Sequence, residues 1–217
     1  MAIPKTIYQT FKTAKLPFIN RWHINSFRKK NPSYKYEFYT DERIAEFLKN
    51  EYGREVIDAY KRIQIGAAKA DFFRYAILYK KGGIYLDIDS TIKKDLDEFI
   101  KPDDKAIISL ERNPGIYVQW ALIYEAGHQF LEKTLELVLA NIAENKYPHD
   151  VHQMSGPSVY TKAINECLEK NPAIPHRVLG IDYNSYLKFK LPLAKLIYAK
   201  GEHWKEQQKT KPVLKPI

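Results

Sequence analysis

The sequence predicts an α/β fold in a single domain, and three observations carry that expectation. Short runs alternating apolar and polar residues recur between longer runs of helical spacing, the order that builds a sheet covered by helices. At 217 residues and 45% hydrophobic content, the chain can bury one substantial core. No repeat or low-complexity block divides it before the Lys- and Gln-rich stretch from Lys205, in which Pro212 and Pro216 follow. Residues 1–204 therefore read as the domain. Residues 205–217 read as a basic tail, frayed or lying on the surface.

Each element has its own signal. Ile3 to Phe11 reads as an opening strand and turn, and Asn20 to Lys30 as a helix stopped by Asn31-Pro32. Tyr34 to Tyr39 alternates aromatic with polar side chains, as a half-buried strand does. Asp41 to Asn50 is a helix with an acid at its start, where the helix dipole favours negative charge. Gly66 to Lys81 is a longer helix that ends at Gly82-Gly83, where the missing Cβ permits a left-handed close. Ile84 to Ile88 follows as a strand, and Lys105 to Leu110 as another. Phe130, Leu131, Leu135, Val138, Leu139 and Ile142 set a helical period over Gln129 to Lys146, and Ser158 to Lys170 gives one more helix after Gly156-Pro157.

Charge is unevenly placed. The net is +9, yet residues 1–36 hold eight basic and no acidic side chains, residues 188–217 sum to +6, and the middle is acidic. Basic ends suit nucleic acid, an anionic membrane face or phosphate-bearing substrates. The single cysteine, Cys167, excludes a disulfide framework and a CxxC metal site. With no apolar leader after Met1 and no run of about 18 apolar residues, the expected location is the cytoplasm, possible contact with its membrane face included.

The chemistry gathers at Asp87-Ile88-Asp89. On an extended strand Tyr85, Asp87 and Asp89 point one way, and Ile84, Leu86 and Ile88 the other. Two carboxylates on one face at the end of a buried strand repel each other and resist desolvation, and a divalent cation relieves both penalties. Oxygen ligands suit Mg²⁺ or Mn²⁺, and an imidazole in the set shifts the choice toward Mn²⁺. The run Leu86 to Ile92 also fits the DxDx(T/V) opening of haloacid-dehalogenase-like phosphatases, with Asp87 as nucleophile and Asp89 as general acid. Upstream, Asp71 and Arg74 lie three apart on one helical face, as a sugar-binding pair or as a helix-stabilising ion pair. Only Gly82-Gly83 separates their helix from the DxD strand. A basic nucleic-acid-binding module is the non-enzymatic alternative, resting on net charge alone.

The run Ala67 to Asp89, AAKADFFRYAILYKKGGIYLDID, resembles the DxD region of glycosyltransferase family 32, the family of yeast-type α-1,6-mannosyltransferases and of bacterial capsule and lipopolysaccharide enzymes. Ile3 to Phe11, IPKTIYQTF, is similar to its opening IPKxIHQxW, and Ser155-Gly156-Pro157 to its TGP segment. The resemblance implies a GT-A type fold, a Rossmann-like mixed sheet flanked by helices. It further implies retaining transfer of a hexose from a UDP- or GDP-sugar to a saccharide or lipid-linked acceptor. By the same resemblance Tyr8, Phe11, Gly156 and Pro157 join the donor site, with Phe11 stacking on the base. Asp71 and Arg74 hold the sugar, Asp87 meets ribose, sugar or metal, Asp89 binds the metal, and Gln119 lies near the reacting bond. His203, in Tyr198 to Trp204, stands as the third metal ligand. Tyr8 replaces the family's His, Phe11 its Trp and Ala70 its Ser, so base recognition is where departure is expected.

Overall fold

The computed structural model describes residues 2–189 and 203–216. In chain order the elements begin with strand β1 (Thr6–Thr10), helix α1 (Phe18–Lys30), β2 (Lys35–Tyr39), α2 (Asp41–Glu51), α3 (Arg54–Arg62) and α4 (Gly66–Lys81). They continue with β3 (Gly83–Leu86), β4 (Thr91–Ile92), β5 (Ala106–Ser109), β6 (Ala121–Tyr124), α5 (Gln129–Glu144), α6 (Val151–Met154), α7 (Pro157–Lys170), β7 (Arg177–Leu179) and β8 (Leu187–Lys188). A short helix at Trp204–Thr210 closes the described chain. The α/β expectation holds.

Six strands form one mixed sheet in the order β2-β1-β3-β6-β5-β7. Only β6 runs against the others, pairing antiparallel with β3 and β5. Side chains alternate between two cores, as the pleat requires. Ile7, Ile84, Leu86, Ile107, Ala121 and Ile123 pack on one face with Ile24 and Phe27 of α1. Tyr8, Tyr85, Ala106, Ile108, Leu122 and Tyr124 pack on the other with α2 to α5 and α7. The helix that matters most lies in the second of these cores: α4. Helix α4 carries buried residues all round, including Asp71 and Arg74, because it is enclosed by helices as well as by the sheet.

The turn joining α4 to β3 is closely packed. Gly82 and Gly83 have φ of 62° and 109°, and a Cβ on either would come within 2.7 Å of backbone, of Ala126 and Thr6 respectively. Only glycine fits both demands. Because nothing else intervenes, the register of Asp71 and Arg74 against the end of β3 is rigidly set.

Two expectations need correction. Strand β3 ends at Leu86, and Asp87 to Ser90 forms a turn closed by the Ser90 N–H donating to the Asp87 carbonyl at 2.9 Å. The DxD acids therefore sit on a turn and not on alternate positions of a strand. The C-terminal segment is no frayed tail either. Val213 and Leu214 are 0% and 2% exposed, Leu214 pairs with Ile63, and Gln64 Nε2 donates to the carbonyls of Pro212 and Leu214 at 2.9 and 3.0 Å. Two apolar residues between prolines suffice to anchor a segment whose composition is otherwise polar.

Candidate active site

Strand β1 leads outward to β2 on one side, and β3 lies on its other side, so the strand order reverses between β1 and β3. In open α/β sheets the crevice beyond the strand ends at such a point is where ligands bind. Here Phe11 and Lys12 follow β1, Asp87 and Asp89 follow β3, and all four line a cleft of about 530 Å³.

The cleft floor is a buried polar network. The Arg74 guanidinium donates through Nη2 to Asp87 Oδ1 at 2.8 Å and through Nη1 to the Gln119 carbonyl at 2.7 Å. Nη2 also lies 3.3 Å from Asp71 Oδ1, so one cation serves two acids. Gln119 Nε2 donates to Asp71 Oδ1 and to the Tyr75 hydroxyl, Ser155 Oγ donates to Asp71 Oδ2, and Tyr85 OH donates to Asp87 Oδ1. The Arg74 guanidinium lies over the Tyr85 ring, 4.7 Å from its centroid.

Burial dominates the protonation of this network. It pushes the Asp71 carboxyl up to about 6 even though Arg74, Gln119 and Ser155 favour the anion. Asp87 is raised by burial too, against Arg74 and the Tyr85 hydroxyl. Arg74 is held in its charged form by Asp87, which with Tyr85 and Asp71 outweighs its own desolvation. Two carboxylates against one guanidinium leave an acidic floor, to which Asp89 adds another carboxylate. Such a floor favours an added cation.

The DxD turn is held from below by two amides that sequence reasoning passed over. Gln9 Nε2 donates to the Asp87 carbonyl at 3.0 Å, and Asn20 Nδ2 donates to the Ile88 carbonyl at 3.2 Å. Both residues are essentially inaccessible to solvent. Tyr36 OH in turn donates to Gln9 Oε1, fixing the orientation of that amide. The available signal was a polar residue on the buried side of an element: Asn20 shares the face of α1 that carries Ile24 and Phe27. Tyr75 and Ser155 were missed likewise, although Ser155 stands in the segment read as TGP-like.

Most of the expected site residues line the one cleft: Phe11, Asp71, Arg74, Asp87, Asp89, Gln119, Pro157 and His203. Tyr8 does not. It packs in the core, 6.2 Å from the Tyr39 ring, because its position on β1 faces the helices. Gly156 is not in the lining either; it lets the backbone pass close to His152, whose Cα a Cβ would approach to 2.9 Å. Among the described residues no three His, Cys, Asp or Glu side chains converge on a point that would hold a metal ion. His203 shares the cleft lining with Asp87 and Asp89, and its Nδ1 accepts from the Lys205 N–H at 3.3 Å as a helix cap. Of the segment Tyr198 to Trp204, residues 198–202 lie outside the described residues.

The two acids nonetheless suit a hard divalent cation. Asp87 Oδ1 is taken by Arg74 and Tyr85, and the Asp87 side chain, 23% exposed, lines the cleft. Few protein ligands and several positions left for phosphate oxygens and water is the pattern of a nucleotide-bound cation. Aromatic ledges flank the acids: Trp120 and Phe189 stack at 5.2 Å, and Trp204 lies 5.1 Å from His152. Two donors on one Asp87 oxygen draw charge from the carboxylate and weaken it as a phosphatase nucleophile.

Comparison with known proteins agrees with this geometry. Residues 20–106 match the family described as the glycosyltransferase sugar-binding region containing the DXD motif. An initiation-specific α-1,6-mannosyltransferase of Schizosaccharomyces pombe is 29% identical over 201 residues, spanning 76% of this chain and 49% of that protein. The inositol phosphoceramide mannosyltransferase 3 of the same yeast is 39% identical over 101 residues, 46% of this chain and 28% of that protein. The chain spans about half or less of the length of the curated relatives it matches. In fold it is similar to the PaToxG glycosyltransferase, with a TM-score of 0.65 at 22% identity over 78% of this chain and 70% of that one. The UDP-bound glycosyltransferase domain of the YGT toxin gives 0.60 at 9% identity, over 92% and 82%. The DXD match, the yeast relatives and the mixed sheet with its DxD-bearing cleft together make this chain similar to the DXD-containing glycosyltransferases of family 32.

Proposed function

We propose that the chain transfers a hexose from a UDP- or GDP-sugar to a saccharide acceptor. The observation that carries this reading is the convergence of Asp71, Arg74, Asp87 and Asp89 on one cleft, from two elements joined only by Gly82-Gly83. Asp71 and Arg74 fix the orientation of the donor sugar, and restricting its motion contributes several kcal/mol, of order 7–11 in the best aligned cases. Gln119 and Ser155 hold Asp71 in place and exclude water from it. Asp89 and the outer part of Asp87 would hold Mn²⁺ or Mg²⁺, which when bound supplies positive charge against the diphosphate leaving group. Arg74 adds fixed positive charge behind Asp87, and the aromatic ledges receive the base and sugar faces.

Transfer proceeds with retention in this reading. The bond from the anomeric carbon to the diphosphate oxygen breaks as the acceptor oxygen bonds on the same face, and the acceptor proton passes to the departing diphosphate. The acceptor is a saccharide, lipid-linked, met at an anionic membrane face in cell-surface polysaccharide assembly such as capsule or lipopolysaccharide. No described helix is long and apolar enough to cross a membrane, so contact of this kind is peripheral in the proposal. The test is a panel of UDP- and GDP-sugars assayed for hydrolysis with Mn²⁺, with Mg²⁺ and with chelator. Metal-stimulated hydrolysis of one nucleotide series, lost in Asp89→Ala, is expected. Turnover of simple phosphate esters, with no nucleotide sugar consumed, would falsify it.

A further inference from the structure

Helix α1 presents an outer face that nothing in the described chain covers. Phe18 and Trp22 are 72% and 53% exposed, the two most exposed large apolar side chains among the described residues. They stand four apart, on adjacent turns, and Arg21, Asn25 and Lys29 share their side of the helix, all exposed. The opposite side carries the buried Asn20, Ile24 and Phe27. The exposed aromatics are thus no failure of amphipathicity: the inner side already has its apolar residues.

Charge distinguishes what such a face would meet. Residues 1–36 contain no acidic side chain, and Lys12 and Lys15 lie exposed in the segment leading into α1. Acids meet the helix on its inner side, where Asp87 and Asp89 flank the Ile88 carbonyl that accepts from Asn20, and beyond its far end, where Asp97 is paired with Lys5 at 2.6 Å and accepts from Tyr34. Large aromatics among lysines and arginines, with no acid between them, is the composition of a helix lying in a headgroup layer. A protein partner would have to place acids opposite each of these cations, whereas an anionic headgroup layer supplies that charge across its whole surface. The helix lies beside the cleft, because Asn20 of α1 donates to the Ile88 carbonyl of the DxD turn and residues 13–17 join α1 to Phe11 and Lys12 of the lining.

We propose that the Phe18–Arg21–Trp22–Lys29 face of α1 docks on an anionic lipid surface and brings the cleft mouth to it. The aromatic rings enter the headgroup layer and the cations remain among the phosphates. This rests on the reading of the cleft only for the identity of the acceptor delivered there; the docking itself is independent of transfer. It also assigns membrane contact to α1 and not to the lysines after Trp204, whose segment is packed against the protein at Val213 and Leu214.

The experiment is co-sedimentation of the full chain with vesicles of phosphatidylcholine alone and with about one third phosphatidylserine. The wild type is expected to bind the anionic vesicles about tenfold or more better than the neutral ones. Phe18→Ser combined with Trp22→Ser is expected to lose about tenfold or more of that binding with an unchanged melting temperature. Arg21→Glu with Lys29→Glu is expected to abolish the preference for anionic vesicles. Trp22→Gln alone serves as a milder variant, and hydrolysis of a nucleotide sugar without vesicles stays unchanged in all of these. Loss of vesicle binding is thereby separable from loss of the enzymatic reading. Four outcomes overturn the proposal: wild-type binding by the aromatic variant, equal binding to neutral vesicles, loss confined to glutamine replacements of Lys205, Lys209, Lys211 and Lys215, or a concentration-dependent dimer that the aromatic variant abolishes.

Discussion

Arg74 Nη2 lies 2.8 Å from Asp87 Oδ1, and that contact couples the middle of α4 to the turn after β3. The guanidinium is 4% exposed and has Asp71 on its other side. Removing it leaves two acids in a poorly solvated floor with no cation between them. Arg74→Ala is expected to cost about 3–5 kcal/mol in urea unfolding, the range for breaking a buried pair by deleting one partner. Arg74→Lys keeps the charge but not the fork that reaches Asp87 and the Gln119 carbonyl together, and is expected to fall between. A cost below about 1 kcal/mol for the alanine variant would show that the acids have moved or become protonated at no expense.

The same burial sets a pH dependence. The Asp71 carboxyl titrates at about 6 in the folded chain, against about 3.9 for an unfolded aspartate. Between those values the native state retains a proton that the unfolded chain has released, so this group's contribution is complete below about pH 4 and declines as pH rises through about 6, by about 2–3 kcal/mol in all. Asp87 moves in the same direction for the same reason. Acids held low by ion pairs, Glu37 and Asp104 among them, act with the opposite sign. The discriminating quantity is therefore the stability of wild type minus that of Asp71→Asn, measured at steps from pH 4 to 8. The difference is expected to shrink with rising pH; a flat difference refutes the assignment.

What the sequence made legible follows the strength of local signals. The glycine pair after Lys81 and the alternation in residues 34–39 each constrain the backbone by themselves, and these fell where the structure has them; Asp71, Arg74, Asp87 and Asp89 share one cleft, the last two on a turn and not a strand. Strand β6 escaped because Trp120 to Tyr124 is a short, wholly apolar run with no alternation to reveal its period. Helix α3 was missed although Val56, Ile57, Ala59 and Tyr60 have helical spacing, because its nine residues repeat that pattern over little more than two turns. The turn at Asp87 was read as strand because extended pairing and a closing Ser90 N–H compete over one or two residues, and tertiary contacts from Gln9 and Asn20 decide it.

The anchored C-terminal segment makes a prediction opposite to that of a frayed one. Leu214 is 2% exposed and pairs with Ile63 at the entrance to α4, so Leu214→Ala is expected to cost about 2–4 kcal/mol. Lys209→Ala, on the exposed side of the last described helix, is expected to stay within about 0.5 kcal/mol. Equal small effects in both variants, read by chemical denaturation, would return the segment to the surface.

Asn20 supplies the most selective probe of how the DxD turn is held. Its amide donates to the Ile88 carbonyl between the two acids, while its own Oδ1 has no partner among the described residues. An unpaired buried acceptor costs on the order of 1–3 kcal/mol, a burden the fold tolerates in exchange for the bond to the turn. Asn20→Leu removes both the orphaned oxygen and the donor, so the change in global stability is expected to be modest, within about 1.5 kcal/mol. The Ile88 carbonyl then loses its partner and the turn its lower brace. The apparent affinity for Mn²⁺, read from the metal dependence of donor hydrolysis, is expected to fall about tenfold or more, while KM for the donor at saturating metal changes less. A variant that lowers stability and metal affinity in proportion, or leaves both untouched, would reduce Asn20 to packing. The amide of Gln9, one carbonyl earlier and oriented by the Tyr36 hydroxyl, offers the internal check: Gln9→Leu weakens the metal dependence in the same sense, and Tyr36→Phe does so to a smaller degree.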